Sequence, residues 1–209
     1  MLADQKSSPP AVSAPERFIL AMTGASGMLY AQRLLTHLLE TGIELHLIIS
    51  RQAALVIREE LGLGLEYFQR LSAICHDVQD FSSPLASGSF HTQGMVIIPC
   101  SMNSLAAVAQ GLSINLIHRA ASVCLKEQRK LILVPRESPL SSIHLENMLR
   151  LSRSGAVIFP AMPAFYHHPK NLEDLVEDFI RRVLEHIGQA SPAVQAYACK
   201  RRLEYGQGG

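Results

Sequence analysis

The sequence predicts an α/β fold in which helices cover both faces of a central parallel sheet, and two observations carry that prediction. Short apolar runs alternate with segments of helical period, the arrangement of βαβ units whose strands are buried on both faces. Four of these runs, Arg17–Met22, Glu44–Ile49, Met95–Pro99 and Leu131–Pro135, also end in polar turns: Thr23-Gly24-Ala25-Ser26-Gly27, Ser50-Arg51, Cys100-Ser101-Met102-Asn103-Ser104 and Arg136-Glu137. Ligands of open parallel sheets bind at the carboxyl ends of the strands, so the four turns together describe a site for a phosphate-bearing cofactor.

The elements follow in order. After the first strand, Gly27–Glu40 has a helical stripe of leucines and stops at Thr41-Gly42. A second strand and a helix over Gln52–Leu61 complete the opening βαβ unit. The stretch Gly62–Gly88 is irregular, with a short strand at Ile74–Val78 and a loop, Phe81–Phe90, suited to wrapping a ligand. Beyond Met95–Pro99 come helices at Asn103–Gln110 and Ile114–Gln128, then a strand at Lys130–Pro135. Ser141 or Ser142 caps a helix reaching about Ser152, and Ala156–Pro160 reads as the last strand. Leu172–Ile187 is the final helix: Asn171 caps it, Glu173 and Asp174 suit its positive end, and Gly188 ends it. The chain thus divides into a Ser-, Pro- and Ala-rich tail (1–16), expected to be disordered, one cofactor-binding domain (17–188) and a C-terminal extension (189–209).

A length of 209 residues with 48% hydrophobic content supports one domain with a sizeable core. Nineteen Lys and Arg against 18 Asp and Glu leave a net charge of +1, which gives no reason to expect nucleic acid or an anionic membrane as partner. No segment approaches the roughly 20 apolar residues of a membrane span. The cysteines at 75, 100, 124 and 199 form no CxxC pair and no ligand-spaced cluster with histidine, so reduced thiols in a cytoplasmic protein without a bound metal are expected.

The chemistry concentrates in the turns. Glycines at Thr23–Gly27 let a phosphate or a flat ring approach the backbone, although a tight turn that simply needs glycine accounts for them equally well. The motif is not GxGxxG, and the acidic residue that grips a ribose in dinucleotide sites is replaced by Ser50-Arg51. NAD is therefore disfavoured and a mononucleotide such as FMN fits better. Ser101 to Ser104 open another helix, where capping is the simpler role. Arg119 and Lys126 lie seven residues apart on one helical face and can clamp a second phosphate or form a solvated basic face. Arg136 can hold phosphate and Glu137 can move a proton, or the two can pair in the turn. Arg182 flanks the apolar stripe of the last helix, with Arg181 pointing more nearly away, and Tyr166 follows the last strand.

Together these pieces resemble the UbiX-type flavin prenyltransferases. The similar segments are MTGASG (22–27), ASGSF (86–90), PCSMNSLAAVAQG (99–111), NLIHRAASVCLKE (115–127), LVPRESPLSSIHLENML (133–149) and PAMPAFYHHP (160–169), within a match over about Arg17–Gly188. The resemblance implies a Rossmann-like (flavodoxin-like) fold and transfer of a dimethylallyl group from dimethylallyl phosphate to N5 and C6 of reduced FMN without a metal. It implies a homododecamer, and a product that serves a UbiD-type decarboxylase. It assigns FMN to Gly24, Ala25, Ser26, Ser50, Ser101, Met102, Asn103, Ser104 and Arg136. Tyr166 and Arg182 grip the donor, Arg119 and Lys126 lie near its phosphate, Glu137 handles protons, Ser26 sits near N5, and Glu60 is a further active-site carboxylate. The chain departs from the pattern at Ser104, where threonine is usual, and in lacking tryptophan. An FMN-dependent decarboxylase on the same fold is the alternative, but such relatives carry PxMN where this chain reads Pro160-Ala161-Met162-Pro163. A flavin carrier is the third reading.

Overall fold

The structure, a computed structural model, describes residues 16–71 and 73–189; the rest of the predicted N-terminal tail and of the C-terminal extension lies outside the described residues. Six strands, β1 (Arg17–Met22), β2 (Glu44–Ile49), β3 (Ile74–His76), β4 (Gly94–Cys100), β5 (Lys130–Pro135) and β6 (Val157–Ile158), form one sheet in the order β3-β2-β1-β4-β5-β6. Every pairing is parallel. This is the doubly wound order, in which the chain runs outward from β1 on one side and from β4 on the other.

Alternate strand residues feed opposite faces, as the pleat demands. Phe18, Leu20 and Met22 pack with helices α1 (Met28–Glu40), α2 (Arg51–Leu61), the short α3 (Leu65–Gln69) and α7 (Leu172–Ile187). Ile19 and Ala21 pack with α4 (Met102–Ala109), α5 (Leu116–Lys126) and α6 (Ser142–Arg153) on the other face. Helix α7 alone buries Val176, Phe179, Ile180, Val183, Leu184 and Ile187, each contributing about 1.5–3 kcal/mol through area removed from water. Its predicted bounds and its cap, Asn171 Oδ1 accepting from Asp174 N–H at 2.8 Å, match the structure.

Four elements differ from the sequence reading. β6 pairs over two residues rather than Ala156–Pro160, because Pro160 has no N–H to give; Phe159 and Ala161 still donate to Leu133 and Pro135. Helix α3 lies inside the stretch read as irregular. It is five residues long, too short for a visible stripe, and is held by the fully buried Phe68. Asn115, whose side chain accepts from His118 N–H, starts α5 later than predicted, and α5 also ends earlier, at Lys126. Pro84–Ala86, within the predicted wrapping loop, forms a 3-10 turn.

Gly24 has a packing reason that the sequence does not reveal. A Cβ there would lie 2.4 Å from Gln52 Cβ on α2, so only glycine lets α2 close against the first turn. Gly24→Ala is expected to destabilise the fold by about 1–3 kcal/mol, read as a lower urea midpoint at unchanged slope. A midpoint equal to the parent's would show that α2 does not close on this turn.

Candidate functional site

The hydrogen bonding of the sheet continues past the strand ends. Ser50 N–H donates to Met22 O at 3.0 Å, Thr23 N–H to Pro99 O at 3.2 Å, Arg136 N–H to Cys100 O at 3.4 Å and Ala161 N–H to Pro135 O at 3.0 Å. These links place the predicted turns side by side along the carboxyl edge. The order reverses between β1 and β4, where an open sheet leaves a crevice. Thr23 closes the base of that crevice. Its buried hydroxyl donates to Pro99 O at 2.9 Å and accepts from Ser101 N–H at 2.7 Å, so the β1 and β4 turns are stitched by one side chain. Sequence reasoning did not single out Thr23, since a threonine after a strand gives no signal of what its hydroxyl reaches.

The serines cap the helices that open here. Ser50 Oγ accepts from Ala53 N–H at 3.0 Å, and Ser101 Oγ accepts from Ser104 N–H at 3.3 Å while lying 3.2 Å from Ser104 Oγ. Behind Ser104 stands the buried His118, its Nε2 3.3 Å from the hydroxyl; burial lowers its pKa, which favours the neutral ring. Capping uses an oxygen lone pair, which leaves the Ser50 hydroxyl proton to donate, while that of Ser101 goes to Ser104 Oγ.

Glu60 arrives from the end of α2 and sits on the start of α1. Its Oε2 accepts from Met28 N–H at 2.8 Å and Gly27 N–H at 3.0 Å. Burial raises its pKa, but the Ser26 hydroxyl, the two backbone N–H groups and the charge of Arg136 outweigh this, and the net shift is downward. Ser26, Glu60 and Arg136, far apart in sequence, therefore meet at the crevice. Glu60 also occupies the α1 terminus where the sequence placed an incoming anion.

Farther along the edge, Arg136 and Glu137 line a cavity of about 240 Å³ with Leu140, Met148, Pro160 and Met162. Glu137 Oε1 accepts from Ser138 N–H at 2.9 Å. Tyr166 is 70% exposed on the loop after β6, and Arg182 is exposed with its guanidinium 5.5 Å over the Phe159 ring. On the other side, Ser50 and Arg51 border a larger cavity of about 500 Å³ with Ile49, Phe68, His76 and Asp77.

Three expectations are corrected. Arg119 and Lys126 were read as lying near the strand ends of the site. Helices of a parallel sheet run against the strands, so Lys126, the last residue of α5, lies at the amino edge, beside Glu127 and Gly88. Arg119, in the first turns of α5 next to the His118 that reaches Ser104, stays on the side of the strand ends and donates Nε–H to Ala86 O at 2.9 Å. The loop Phe81–Phe90 was read as a wrap. It is fastened along α5 by Arg119 and by Arg129, which donates to Phe90 O and Gly88 O. A chain of groups fixes its start as well. Arg17 holds Glu44 ionised, so His46 donates Nε2–H to Glu44; His76 then donates to His46, and Ser83 to His76. Arg181, read as pointing away from the apolar stripe, is largely buried and pairs with Asp178. Among the described residues no group of three His, Cys, Asp or Glu gathers to hold a metal ion.

Because the pKa of Glu60 is lowered in the folded state, its contribution to stability is present above its unfolded pKa and is lost as pH falls through the folded value. Glu60→Gln is expected to cost about 1 kcal/mol at neutral pH through the weakened helix start, and less on acidification. Urea midpoints between pH 7 and pH 3 measure this. Parallel midpoint curves for the two proteins would refute it.

With this geometry in place, comparison with known proteins is informative. Residues 6–184 match the model of the Flavoprotein family. The flavin prenyltransferase UbiX of Methanothermobacter thermautotrophicus is 49% identical over 170 residues, 81% of this chain and 89% of that protein. The mitochondrial flavin prenyltransferase PAD1 of Saccharomyces cerevisiae is 48% identical over 181 residues, 87% of this chain and 74% of that protein. Among solved structures, a dodecameric FMN-dependent UbiX-like decarboxylase from Escherichia coli O157:H7 superposes with a TM-score of 0.82 at 45% identity, over 84% of this chain and 97% of that one. AnUbiX (PadA1), solved with FMN and dimethylallyl pyrophosphate, gives 0.82 at 42% identity, over 84% and 93%. The chain therefore belongs to the flavoprotein family and, within it, to the UbiX-type flavin prenyltransferases.

Proposed function

We propose that this protein transfers a dimethylallyl group from dimethylallyl phosphate to N5 and C6 of reduced FMN, making a prenylated flavin for a UbiD-type decarboxylase. The observation that carries the reading is the meeting of Ser26, Glu60 and Arg136 at the β1/β4 crevice, in a fold shared with a relative solved with FMN and a dimethylallyl donor. The residues fit an FMN. Hydroxyls and helix-start N–H groups at Ser50 and at Ser101 to Ser104, with Arg136, suit a phosphate and a polar ring edge. Gly24, Ala25, Met102 and Asn103 complete the walls of the two turns. Glu60 already sits on the α1 terminus, so phosphate binding falls to the starts of α2 and α4.

Reduced FMN, when bound, supplies an electron-rich N5 and C6. Breaking the allylic C–O bond develops positive charge on carbon and negative charge on phosphate. Tyr166 and Arg182 hold that phosphate, and Glu137 gives or takes a proton at its departing oxygen. Ser26, hydrogen-bonded to Glu60, moves a proton at N5. Lys126, on the opposite edge, can reach this phosphate only from a second copy of the chain, and Arg119 on the same helix comes with it. Assembly is thus part of the mechanism, in keeping with the dodecameric relative, and we take the protein as a homododecamer. The free thiols of Cys75, Cys100 and Cys124, the last two pushed up to about 12 by burial, fit a cytoplasmic protein.

Anaerobic incubation with reduced FMN and dimethylallyl phosphate, or the pyrophosphate, should release a flavin heavier by one dimethylallyl group. Glu137→Gln and Arg182→Ala should each lower the rate at least about 100-fold. FMN binding with no mass gain from either donor would move the assignment to the decarboxylase or the carrier. Mixing Lys126→Ala with Glu137→Gln subunits tests the shared site. Joint refolding should restore about a quarter of wild-type activity, the fraction of sites drawing both intact residues from different chains. No recovery in mixed oligomers would place both residues in one chain's site.

A further inference from the structure

We infer that Asp178 and His167 are positioning residues that fix Tyr166 to helix α7, the helix that carries Arg182. The inference rests on the donor-binding role proposed above for Tyr166 and Arg182. Asp178 lies in the middle of α7 and is 3% exposed. A carboxylate so buried needs charged or hydrogen-bonding partners. Its partners include His167 Nε2, 3.1 Å from Oδ2, and Arg181 Nη2, 3.2 Å from Oδ1. Arg181 also reaches back to Glu185.

His167 does not belong to α7. It comes from the loop between β6 and α7, and its neighbour in sequence is Tyr166. The two rings touch, with centroids 3.8 Å apart at 51°. Tyr166 is otherwise 70% exposed on a turn closed by His168 N–H donating to Phe165 O, with His168 at φ 52°. The turn itself leaves the ring free to choose among rotamers. The ring of His167, held by a buried carboxylate, is what limits that choice.

Arg182 follows Asp178 by four residues, one turn along the same face of α7. One rigid helix therefore carries one donor-gripping residue directly and holds the other through the Asp178–His167 pair. The spacing between a hydroxyl and a guanidinium that must meet one phosphate is thereby set before the donor arrives. Ordering a free side chain on binding weakens affinity, so losing the pair should appear in donor affinity rather than in chemistry.

The test is a double-mutant cycle. His167→Gln and, separately, Asp178→Asn are made in the wild-type and Tyr166→Phe proteins. Steady-state KM and kcat for dimethylallyl phosphate are measured, with Kd for reduced FMN and the urea midpoint alongside. In the wild-type background each variant should raise KM roughly three- to tenfold, with kcat and FMN affinity within about twofold. In the Tyr166→Phe background the same changes should leave KM unmoved, because the group they position is already gone. Equal effects in both backgrounds, or a loss confined to kcat, would overturn the inference while leaving the donor site standing. If Tyr166→Phe alone leaves KM unchanged, the donor-site assignment fails and this inference fails with it. Asp178→Asn disturbs a buried charge and can lower stability; His167→Gln, at the partly exposed end of the pair, answers the question on its own.

Discussion

The site depends on the row of hydrogen bonds that carries the sheet beyond its strands, and Thr23 is its central member. A parallel sheet ordinarily ends in carbonyls and N–H groups that loops or water must satisfy. Here the turn after β1 donates to the end of β4, which also accepts from the residue after β5, and β5's end accepts from the segment after β6. The loops are thereby held in register with one another by the same geometry that orders the strands. Ser101 is fixed relative to Ser26 through the fully buried Thr23 hydroxyl, and Arg136 relative to Cys100 by a backbone bond. A site built from short turns acquires in this way the precision of sheet elements, which a cofactor with many polar edges needs.

Much of the fold was legible because strands buried on both faces are continuous apolar runs, and those of β1, β2 and β5 show it plainly. The α7 helix was legible to its last residue because a cap, an acidic first turn, a stripe and a final glycine all agree. What was not legible has physical causes. Helix α3 has one anchoring side chain and no period to display. Gly24 was read as making room for a ligand or for a tight turn; that it also makes room for α2 was not legible, because sequence shows that space is needed but not for what. Arg119 and Lys126 do share a helix, yet spacing along a helix says nothing of which edge of the sheet its end reaches. Glu60 was placed by family resemblance alone; nothing in the pattern of α2 shows that its last turn lies against the first turn of α1. Asp178 gives no signal of its own in the sequence, and only the fold shows it buried against His167.

The electrostatics of the crevice follow from one substitution of roles. In many nucleotide-binding folds the first helix start receives the phosphate. In this chain Glu60 holds that position, with Ser26 and the α1 N–H groups stabilising its charged form and Arg136 balancing it. An ionised carboxylate there repels a second anion and favours positive charge nearby. For a reaction that develops positive charge on an allylic carbon and negative charge on a leaving phosphate, such an arrangement separates the two. The Glu60 carboxylate lies at the β1/β4 crevice, and Tyr166, on the loop after β6, and Arg182, over Phe159, lie away from it.

An allylic cation must be shielded from water, and the described residues of a single chain do not supply the shield. The one long loop suited to the task, Phe81–Phe90, is spent elsewhere: two arginines and the Ser83–His76–His46–Glu44 series bind it along α5 and the sheet margin. Met162, which lines the Glu137 cavity, and Phe165 and Tyr166, farther along the same loop, stand 66–70% exposed. On α6, Ile143 in the first turn, and Leu145 and Leu149 four residues apart on another side, are exposed as well. Apolar groups in that number beside a cavity call for a covering surface. Under the proposed function the same neighbour that covers them also brings Lys126, so exclusion of water and completion of the phosphate site become one event, and a chain that failed to assemble would lose both together.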